Sequence, residues 1–145
     1  MKKLALIVLF IFAPLVTKAQ IVVGSRFKPF TYDEMVAPLR EANRAYEIAE
    51  QQFESYFEKE NIELAKYQNK EHYSPSLGLF YINKCIEINN RFKGNIYNRG
   101  YLYYRKGIWH LLNNEKDEAK KILLYAWQEY KNEPARDLYN HIVTK

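Results

Sequence analysis

Apolar side chains between residues 31 and 60 recur in alternating steps of four and three, the spacing that places them on one side of a helix. They are Met35, Leu39, Ala42, Tyr46, Ala49, Phe53 and Tyr56. Thr31 and Glu34 have the spacing of a capping box, so we expect this helix to begin there. Pro38 predicts a kink or a restart. The stripe loses its phase at residues 59–61, where we expect a bend or break, followed by a solvent-facing tail over residues 62–72.

Four shorter helices are predicted after this tail. Ser74 and Pro75 supply a cap and a favourable first residue for the second helix, which ends at residues 93–94 because Gly94 takes a left-handed conformation at low cost. The third helix is expected to begin at Asn95. The fourth begins at residues 113–114, and a short last helix opens at Pro134 and caps the end of the stack.

Each predicted helix has an apolar face. The alternation of period two that is typical of a strand occurs only at residues 20–23. The expected buried positions are Leu79, Ile82, Cys85 and Ile86; Ile96, Gly100, Tyr103, Gly107 and Leu111; Ala119, Ile122, Leu123, Ala126 and Trp127; and Leu138, Tyr139 and Ile142. A glycine inside a helix costs about 1 kcal/mol relative to alanine. We therefore expect neighbouring helices to approach closely at Gly100 and Gly107. The predicted fold class is all-α.

Residues 73–131 resemble a tetratricopeptide repeat, a helical hairpin that recurs every 34 residues or so. The small, large and small residues of its second helix appear as Gly78, Ile82 and Cys85, and residues 96–107 resemble its first helix, with Gly107 as the turn glycine. The next such triplet is Ala119, Leu123 and Ala126. This triplet comes seven residues later than the standard spacing of the repeat. In a second possible register, Gly107 and Ala119 have the standard spacing.

This resemblance implies antiparallel helical hairpins in a short superhelix that also carries the long N-terminal helix. An unrelated helical bundle is the alternative. The resemblance further implies a partner-binding groove whose inner positions fall on Tyr97, Tyr101, Tyr104 and Arg105. Aromatic residues and arginine dominate binding hot spots. In the competing interpretation, these tyrosines pack against the first helix.

The N-terminal segment has the features of an export signal. Two lysines precede an apolar run over residues 4–16, and Thr17 and Ala19 are the small residues before a cleavage site after Ala19. The run is too short to span a bilayer. We therefore expect a signal peptide over residues 1–19, an extended arm over 20–30 and a single all-α domain over 31–145. The segment resembles export signals of Bacteroidota, which implies a periplasmic or secreted protein without a membrane span after cleavage.

Composition excludes several functional classes. Removing the signal takes three lysines from the 22 basic residues and leaves 19 against 17 acidic ones, which argues against nucleic-acid binding. The three histidines and Cys85, the single cysteine, lack metal-ligand spacing, so no metal or cofactor is expected. A nucleophilic pair of Cys85 with His110 is conceivable, but a cysteine on an apolar stripe is ordinarily part of the core. The sequence therefore predicts no enzyme.

The resulting hypothesis is an exported, non-catalytic module that binds a protein or peptide, whose identity the sequence leaves open. The alternative is a structural homo-oligomer, such as a homodimer, in which the apolar stripe of the first helix pairs between chains. Cys85 is expected to be a buried free thiol, although an intermolecular disulfide is the other possibility.

The first prediction is that the exported protein begins at Gln20, because the small residues at the Thr17–Ala19 junction follow a short apolar run. The intact mass of protein from the cell-envelope fraction measures this. A membrane-associated species that retains residues 1–19 would contradict it.

Overall fold

The computed structural model describes residues 31–145, which form five helices and contain no strand. The helices are α1 (Tyr32–Gln68), α2 (Pro75–Arg91), α3 (Arg99–Leu112), α4 (Lys116–Tyr130) and α5 (Glu133–Val143). This confirms the all-α prediction for that part of the chain. The predicted export signal and extended arm lie outside the described residues. Among residues 31–145, none of the helices combines the length and the apolar character needed to cross a membrane.

Helix α1 begins as the capping box predicts. The backbone N–H of Thr31 donates to Glu34 Oε2 at 2.7 Å, and the N–H of Glu34 donates to Thr31 Oγ1 at 3.3 Å. The helix continues through Pro38 and ends only at Gln68. The interruption expected at residues 59–61 is therefore wrong, and most of the predicted solvent-facing tail is helical.

The stripe of α1 continues past Phe53 with charged residues at its buried positions. Glu60 is completely buried and Glu63 is 7% exposed, and they follow Phe53 at helical spacing. Glu63 accepts hydrogen bonds from Lys66 Nζ at 2.7 Å and from the backbone N–H of Ser74 at 2.8 Å. The apolar periodicity of the sequence is interrupted at these positions, although the buried face of the helix continues through them.

The described chain divides into two compact units at the bond between Glu50 and Gln51, inside α1. The first unit contributes residues 31–50, the N-terminal half of α1, in which Tyr46 and Ala49 are buried. The second unit comprises residues 51–145. In it α2 packs on α3, α3 on α4, and α4 on α5, as expected for successive helical hairpins.

Buried Asn89 organises the connection between α2 and α3. Its Oδ1 accepts from the backbone N–H groups of Ile96 (3.1 Å) and Tyr97 (2.9 Å), and its Nδ2 donates to Tyr97 O at 3.0 Å. These bonds hold residues 96 and 97 outside the helix, so α3 begins at Arg99 and not at Asn95. Asn98 caps it by accepting from the N–H of Tyr101. Gly94 has the expected left-handed conformation, with a φ of 79°.

The C-terminal core lies where α3, α4 and α5 meet. Leu123, Ala126, Ala135 and Ile142 form its buried centre, and Tyr103, Tyr104, Leu111, Leu138 and Tyr139 pack around them. The predicted role of the last helix as a packed cap is thereby confirmed. Two fully buried residues of α3, Leu102 and Trp109, were not predicted to be core. Four further residues were expected to be buried and are only half-buried: Leu79, Ile96, Ile122 and Trp127.

The glycines mark close helix contacts. A Cβ at Gly78 would lie 2.5 Å from the Trp109 ring, and one at Gly107 would lie 2.5 Å from Leu123 Cδ2. At Gly100 the nearest atom, Tyr130 Cβ, would be 2.8 Å away. Such distances require the neighbour to move. Close approach at Gly100 and Gly107 is therefore confirmed, but Gly107 lies inside α3 and is not a turn glycine.

The second prediction concerns the contact between α3 and α4. Gly107→Ala should destabilise the protein by about 1–3 kcal/mol, because the new methyl group overlaps the Leu123 side chain. Urea unfolding gives the free energy. Leu123→Ala alone should destabilise the protein by about 2–5 kcal/mol. The double variant with Gly107→Ala should be destabilised by less than the sum of the two single variants. Asn83→Ala, on the exposed side of α2, is the control. Strict additivity of the pair would contradict the proposed contact.

Candidate functional site

The structure brings three of the four predicted binding residues into one line of rings. Tyr97 precedes α3, and Tyr101 and Tyr104 follow on its first two turns. The ring centroids of Tyr97 and Tyr101 are 5.8 Å apart, and those of Tyr101 and Tyr104 are 6.2 Å apart. We refer to Tyr97, Tyr101 and Tyr104 as the tyrosine row.

Helix α1 covers the Tyr97 end of this row. Phe53 stacks on Tyr97 with centroids 5.5 Å apart, and Phe57 lies 5.0 Å from the same ring. Tyr97 nevertheless keeps 37% of its surface exposed. Burial, followed by the neighbouring Tyr101, raises the pKa of the Tyr97 hydroxyl. The interpretation in which the tyrosines pack against the first helix therefore describes this end of the row.

The other two tyrosines are half-buried. Tyr104 also packs against the C-terminal core, so one side of its ring is structural. Tyr101 accepts a hydrogen bond from Arg105 Nη1 at 2.8 Å, which fixes its hydroxyl. The row thus combines rings that support the fold with edges that reach solvent. Partner binding by the tyrosine row stays a prediction.

Arg105 is not a groove-lining residue, because only 7% of it is exposed. Its Nε donates to Glu60 Oε1 at 3.0 Å and its Nη2 donates to Glu60 Oε2 at 2.5 Å, a bidentate ion pair between α3 and α1. Nη2 also donates to Asn61 Oδ1 at 2.8 Å. The expectation that Arg105 faces a partner needs correction, because its charge is already matched inside the chain.

Glu60 gathers a third donor from the next turn of α3. Trp109 Nε1 donates to Glu60 Oε1 at 2.5 Å, and both side chains are completely buried. A carboxylate removed from water is costly unless its oxygens are paired and hydrogen-bonded. Here both oxygens accept from donors on α3. We refer to Glu60, Arg105 and Trp109 as the ion-pair cluster.

Aromatic rings complete the surroundings of the guanidinium. Its central carbon lies 5.7 Å from the Phe57 ring centroid and 5.6 Å from that of Tyr101. Burial acts to lower the pKa of Arg105, but the hydrogen bonds and charges of Glu60 and Tyr101 together outweigh it and raise that pKa. Arg105 therefore stays charged, as the bidentate pair requires.

The sequence offered a partial signal for this cluster. Glu60 lies seven residues after Phe53, on the same side of α1, and Trp109 lies four residues after Arg105 on α3. Helical spacing alone identifies the two helix faces but does not show that they pair, because Glu60 and Arg105 are 45 positions apart in the sequence. An acidic residue inside an otherwise apolar stripe was the available clue.

A second aromatic cluster was not singled out from the sequence. The rings of Tyr103 and Tyr130 are stacked with centroids 5.8 Å apart, and Tyr125 meets Tyr103 edge-on at 4.9 Å. The Tyr125 hydroxyl lies 3.3 Å from that of Tyr130. This hydrogen bond, together with burial, raises the pKa of Tyr125 to about 12. The cluster joins α3 to α4 and leaves Tyr125 41% exposed.

The side chains considered for chemistry take part in packing. Cys85 is buried and its Sγ lies 3.8 Å from the carbonyl oxygen of Phe53. Burial, and then the charge of Glu60, raises the pKa of the Cys85 thiol to about 12. His110 Nδ1 pairs with Glu115 Oε2 at 2.5 Å where α3 turns into α4. Within residues 31–145, no three acidic, cysteine or histidine side chains are placed to hold a metal ion.

Comparison with known proteins gives one family similarity. A family model described as Crassvirus Cargo protein 2 matches residues 16–62, about a third of the chain. No curated protein and no solved structure matches significantly. The matched segment includes α1 as far as Ile62 and lies outside residues 73–131, on which the tetratricopeptide resemblance rests. The matched family is not a tetratricopeptide family, so this comparison does not support the repeat assignment.

The third prediction tests the ion-pair cluster. Glu60→Gln should destabilise the protein by about 3–5 kcal/mol, because it leaves the buried Arg105 charge without a partner. The double variant Glu60→Leu with Arg105→Met should cost less than Glu60→Leu alone. Urea unfolding measures both.

Glu58→Gln is the matched control, because Glu58 lies on the exposed side of the same helix. It should change the free energy of unfolding by less than about 0.5 kcal/mol. An equally small effect of Glu60→Gln would show that the cluster does not hold α1 to α3.

Proposed function

We propose that this chain is a non-catalytic, phage-related protein that acts by binding another protein. The observation that carries the proposal is the similarity of residues 16–62 to the crassvirus cargo family, whose name describes a protein that a virus carries. Helix α1 supplies most of the matched residues and holds Phe53 and Glu60, which pack against the second half of the chain.

The chemistry of the described residues supports a non-catalytic role. A nucleophilic cysteine works as a thiolate, whereas the pKa of about 12 keeps the buried Cys85 protonated at neutral pH. The carboxylate of Glu60 accepts hydrogen bonds at both oxygens and is completely buried. Both groups stabilise contacts between helices, and because they are buried they are not accessible to a substrate.

The tyrosine row is the surface that we propose for the protein partner. Tyrosine has a large apolar ring with a polar end. It therefore suits a surface that is solvated in the free protein and covered by the partner in the complex. In this proposal Tyr97 supplies the most exposed ring of the row, while Tyr101 and Tyr104 contribute ring edges. Arg105 acts as a positioning residue that orients the Tyr101 hydroxyl. A repeat-like arrangement of α2, α3 and α4 would present the row along one face, as an adaptor requires.

Export through residues 1–19 is our proposal for localisation, and it competes with carriage inside a virus particle. The family match starts at residue 16, before the predicted cleavage site after Ala19. An exported protein would lose these residues in the cell envelope, whereas a packaged protein would be present in the virus particle. The two destinations are therefore separable by where the protein is found.

The fourth prediction addresses the cargo assignment. Purified particles of the phage that encodes this chain should contain its peptides at a constant ratio to the capsid protein. Quantitative mass spectrometry across a density gradient measures this ratio. Peptides confined to the host envelope fraction would overturn the cargo assignment and leave the exported module.

The fifth prediction tests the tyrosine row. If its exposed edges bind the partner, Tyr101→Ala should leave the melting temperature nearly unchanged and weaken binding at least about tenfold, or 1.4 kcal/mol. If the row is core, the same change should cost about 3–5 kcal/mol of stability. The partner is first identified by cross-linking and mass spectrometry, and its affinity is then measured with the purified protein.

Two control variants sharpen this test. Tyr101→Phe keeps the ring but removes the hydroxyl that Arg105 holds, which separates the ring contact from the hydrogen bond. Tyr125→Ala removes an exposed tyrosine from the second aromatic cluster. Equal loss of binding with Tyr125→Ala would show that the row is not the specific surface.

The homo-oligomer is the second candidate, and the burial of Phe53 weighs against pairing at that position of the stripe. Phe53 is 3% exposed and stacks on Tyr97, whereas Met35, at the start of the stripe, is 39% exposed. Pairing at Phe53 between chains would require it to leave its contact with Tyr97.

A further inference from the structure

An exposed aromatic patch lies on the second half of α1 and on α2, apart from the tyrosine row. It consists of Tyr56, Lys59, Leu77, Phe80, Tyr81 and Lys84, which we call the α1–α2 patch. Phe80 is 47% exposed and Leu77 is 44% exposed, whereas Tyr56 and Tyr81 are half-buried. All six residues belong to the unit that starts at Gln51.

The rings of the patch form a compact group. The centroid of Phe80 lies 5.6 Å from that of Tyr81 and 6.3 Å from that of Tyr56, with both pairs edge-on. Tyr56 and Tyr81 are also 6.3 Å apart. Tyr56 and Tyr81 are half-buried, so Phe80 is the most exposed of the three rings. A phenylalanine has no polar group that water can satisfy, so its exposure here brings the fold little stabilisation.

Two lysines border these rings. Lys59 Nζ lies 5.7 Å from the ring centroid of Tyr56, and Lys84 Nζ lies 5.8 Å from that of Phe80. Glu87 is the acidic neighbour on α2, at 3.3 Å from Lys84 Nζ, but it also binds Arg91 at 2.6 Å. Glu87 is therefore shared between two cations, and the patch keeps a positive charge.

The α1–α2 patch differs from the tyrosine row in how far its charges are matched and its rings are covered. Arg105 is neutralised by Glu60, and Tyr97 is covered by Phe53 and Phe57. On the α1–α2 patch Lys59 and Phe80 are exposed, and Lys84 is half-buried and shares Glu87 with Arg91. Aromatic residues beside a net positive charge complement a surface with apolar side chains and carboxylates.

We propose that the α1–α2 patch docks an acidic segment of a protein partner, with apolar side chains on Phe80 and Leu77 and carboxylates on Lys59 and Lys84. The proposal concerns a different surface from the tyrosine row and does not depend on it. A two-fold contact between two copies would bring these lysines together, which disfavours a second copy. Nucleic acid needs a larger cluster of cations than this patch offers.

The probes are two synthetic amphipathic peptides with the same leucine and tryptophan positions, one with glutamate and one with lysine at the polar positions. We expect the acidic peptide to shift the backbone NMR signals of residues 77–84 and the lysine peptide to leave them unchanged. Phe80→Ala and Lys59→Gln should each weaken the acidic peptide at least about fivefold, or 1 kcal/mol. Raising the salt concentration should weaken it further.

Control variants distinguish this surface from the others. Tyr125→Ala and Tyr101→Ala should leave the affinity for the acidic peptide unchanged, so a failure of the tyrosine row and a failure of the patch are separable. Both Phe80 and Lys59 are exposed, so their variants should keep the wild-type melting temperature.

Several outcomes would overturn the proposal. Equal binding of the two peptides, or an affinity that Phe80→Ala and Lys59→Gln do not change, would exclude the patch as a charge-selective site. Binding of anionic lipid vesicles or of single-stranded oligonucleotides that these variants abolish, without binding of the peptide, would assign the patch to a membrane or to nucleic acid. A concentration-dependent dimer that Phe80→Ala dissociates would assign it to a second copy.

Discussion

The buried carboxylate of Glu60 is the constraint on which the arrangement of α1 and α3 depends. Burial of an ionised group is unfavourable unless donors surround it, and the donors here come from Arg105 and Trp109, one turn apart on α3. Their spacing fixes the rotation of α3 as well as its distance from α1. An apolar contact tolerates sliding, whereas a bidentate pair with an added indole donor does not.

Other parts of the second unit follow from this geometry. Once Trp109 is directed toward Glu60, its ring occupies the space above Gly78, so α2 approaches without a side chain at that position. Arg105 in turn holds the hydroxyl of Tyr101, which keeps the middle of the tyrosine row in place. One acidic residue thus relates three helices, and the surface proposed for binding is built on the exposed side of this contact.

The helices were predictable because local signals determine them. The capping box at Thr31, the cap at Ser74 and the proline near the start of α5 all act within one turn. Spacing also found the buried residues Ala119, Leu123 and Ala126 of α4 and Ile142 of α5, but it missed the buried Ala135. The length of α1 was not, because Glu60 and Glu63 interrupt an apolar pattern while remaining on the buried face.

The candidate site was predictable only in part. The resemblance to a tetratricopeptide repeat singled out Tyr97, Tyr101 and Tyr104, and the structure groups their rings. The role of Arg105 depended on a residue 45 positions earlier, and no local pattern carries that information. The start of α3 was missed for a similar reason, since Asn89 binds the backbone of residues 96 and 97 from the preceding helix.

The segment matched by the cargo family ends at Ile62, two residues after Glu60, whereas both α3 donors of the ion-pair cluster lie far beyond it. A chain cut at the end of the matched segment would keep Glu60 and Phe53 but lose the guanidinium of Arg105 and the ring of Tyr97. The matched segment alone would therefore leave the carboxylate of Glu60 without its donors from α3.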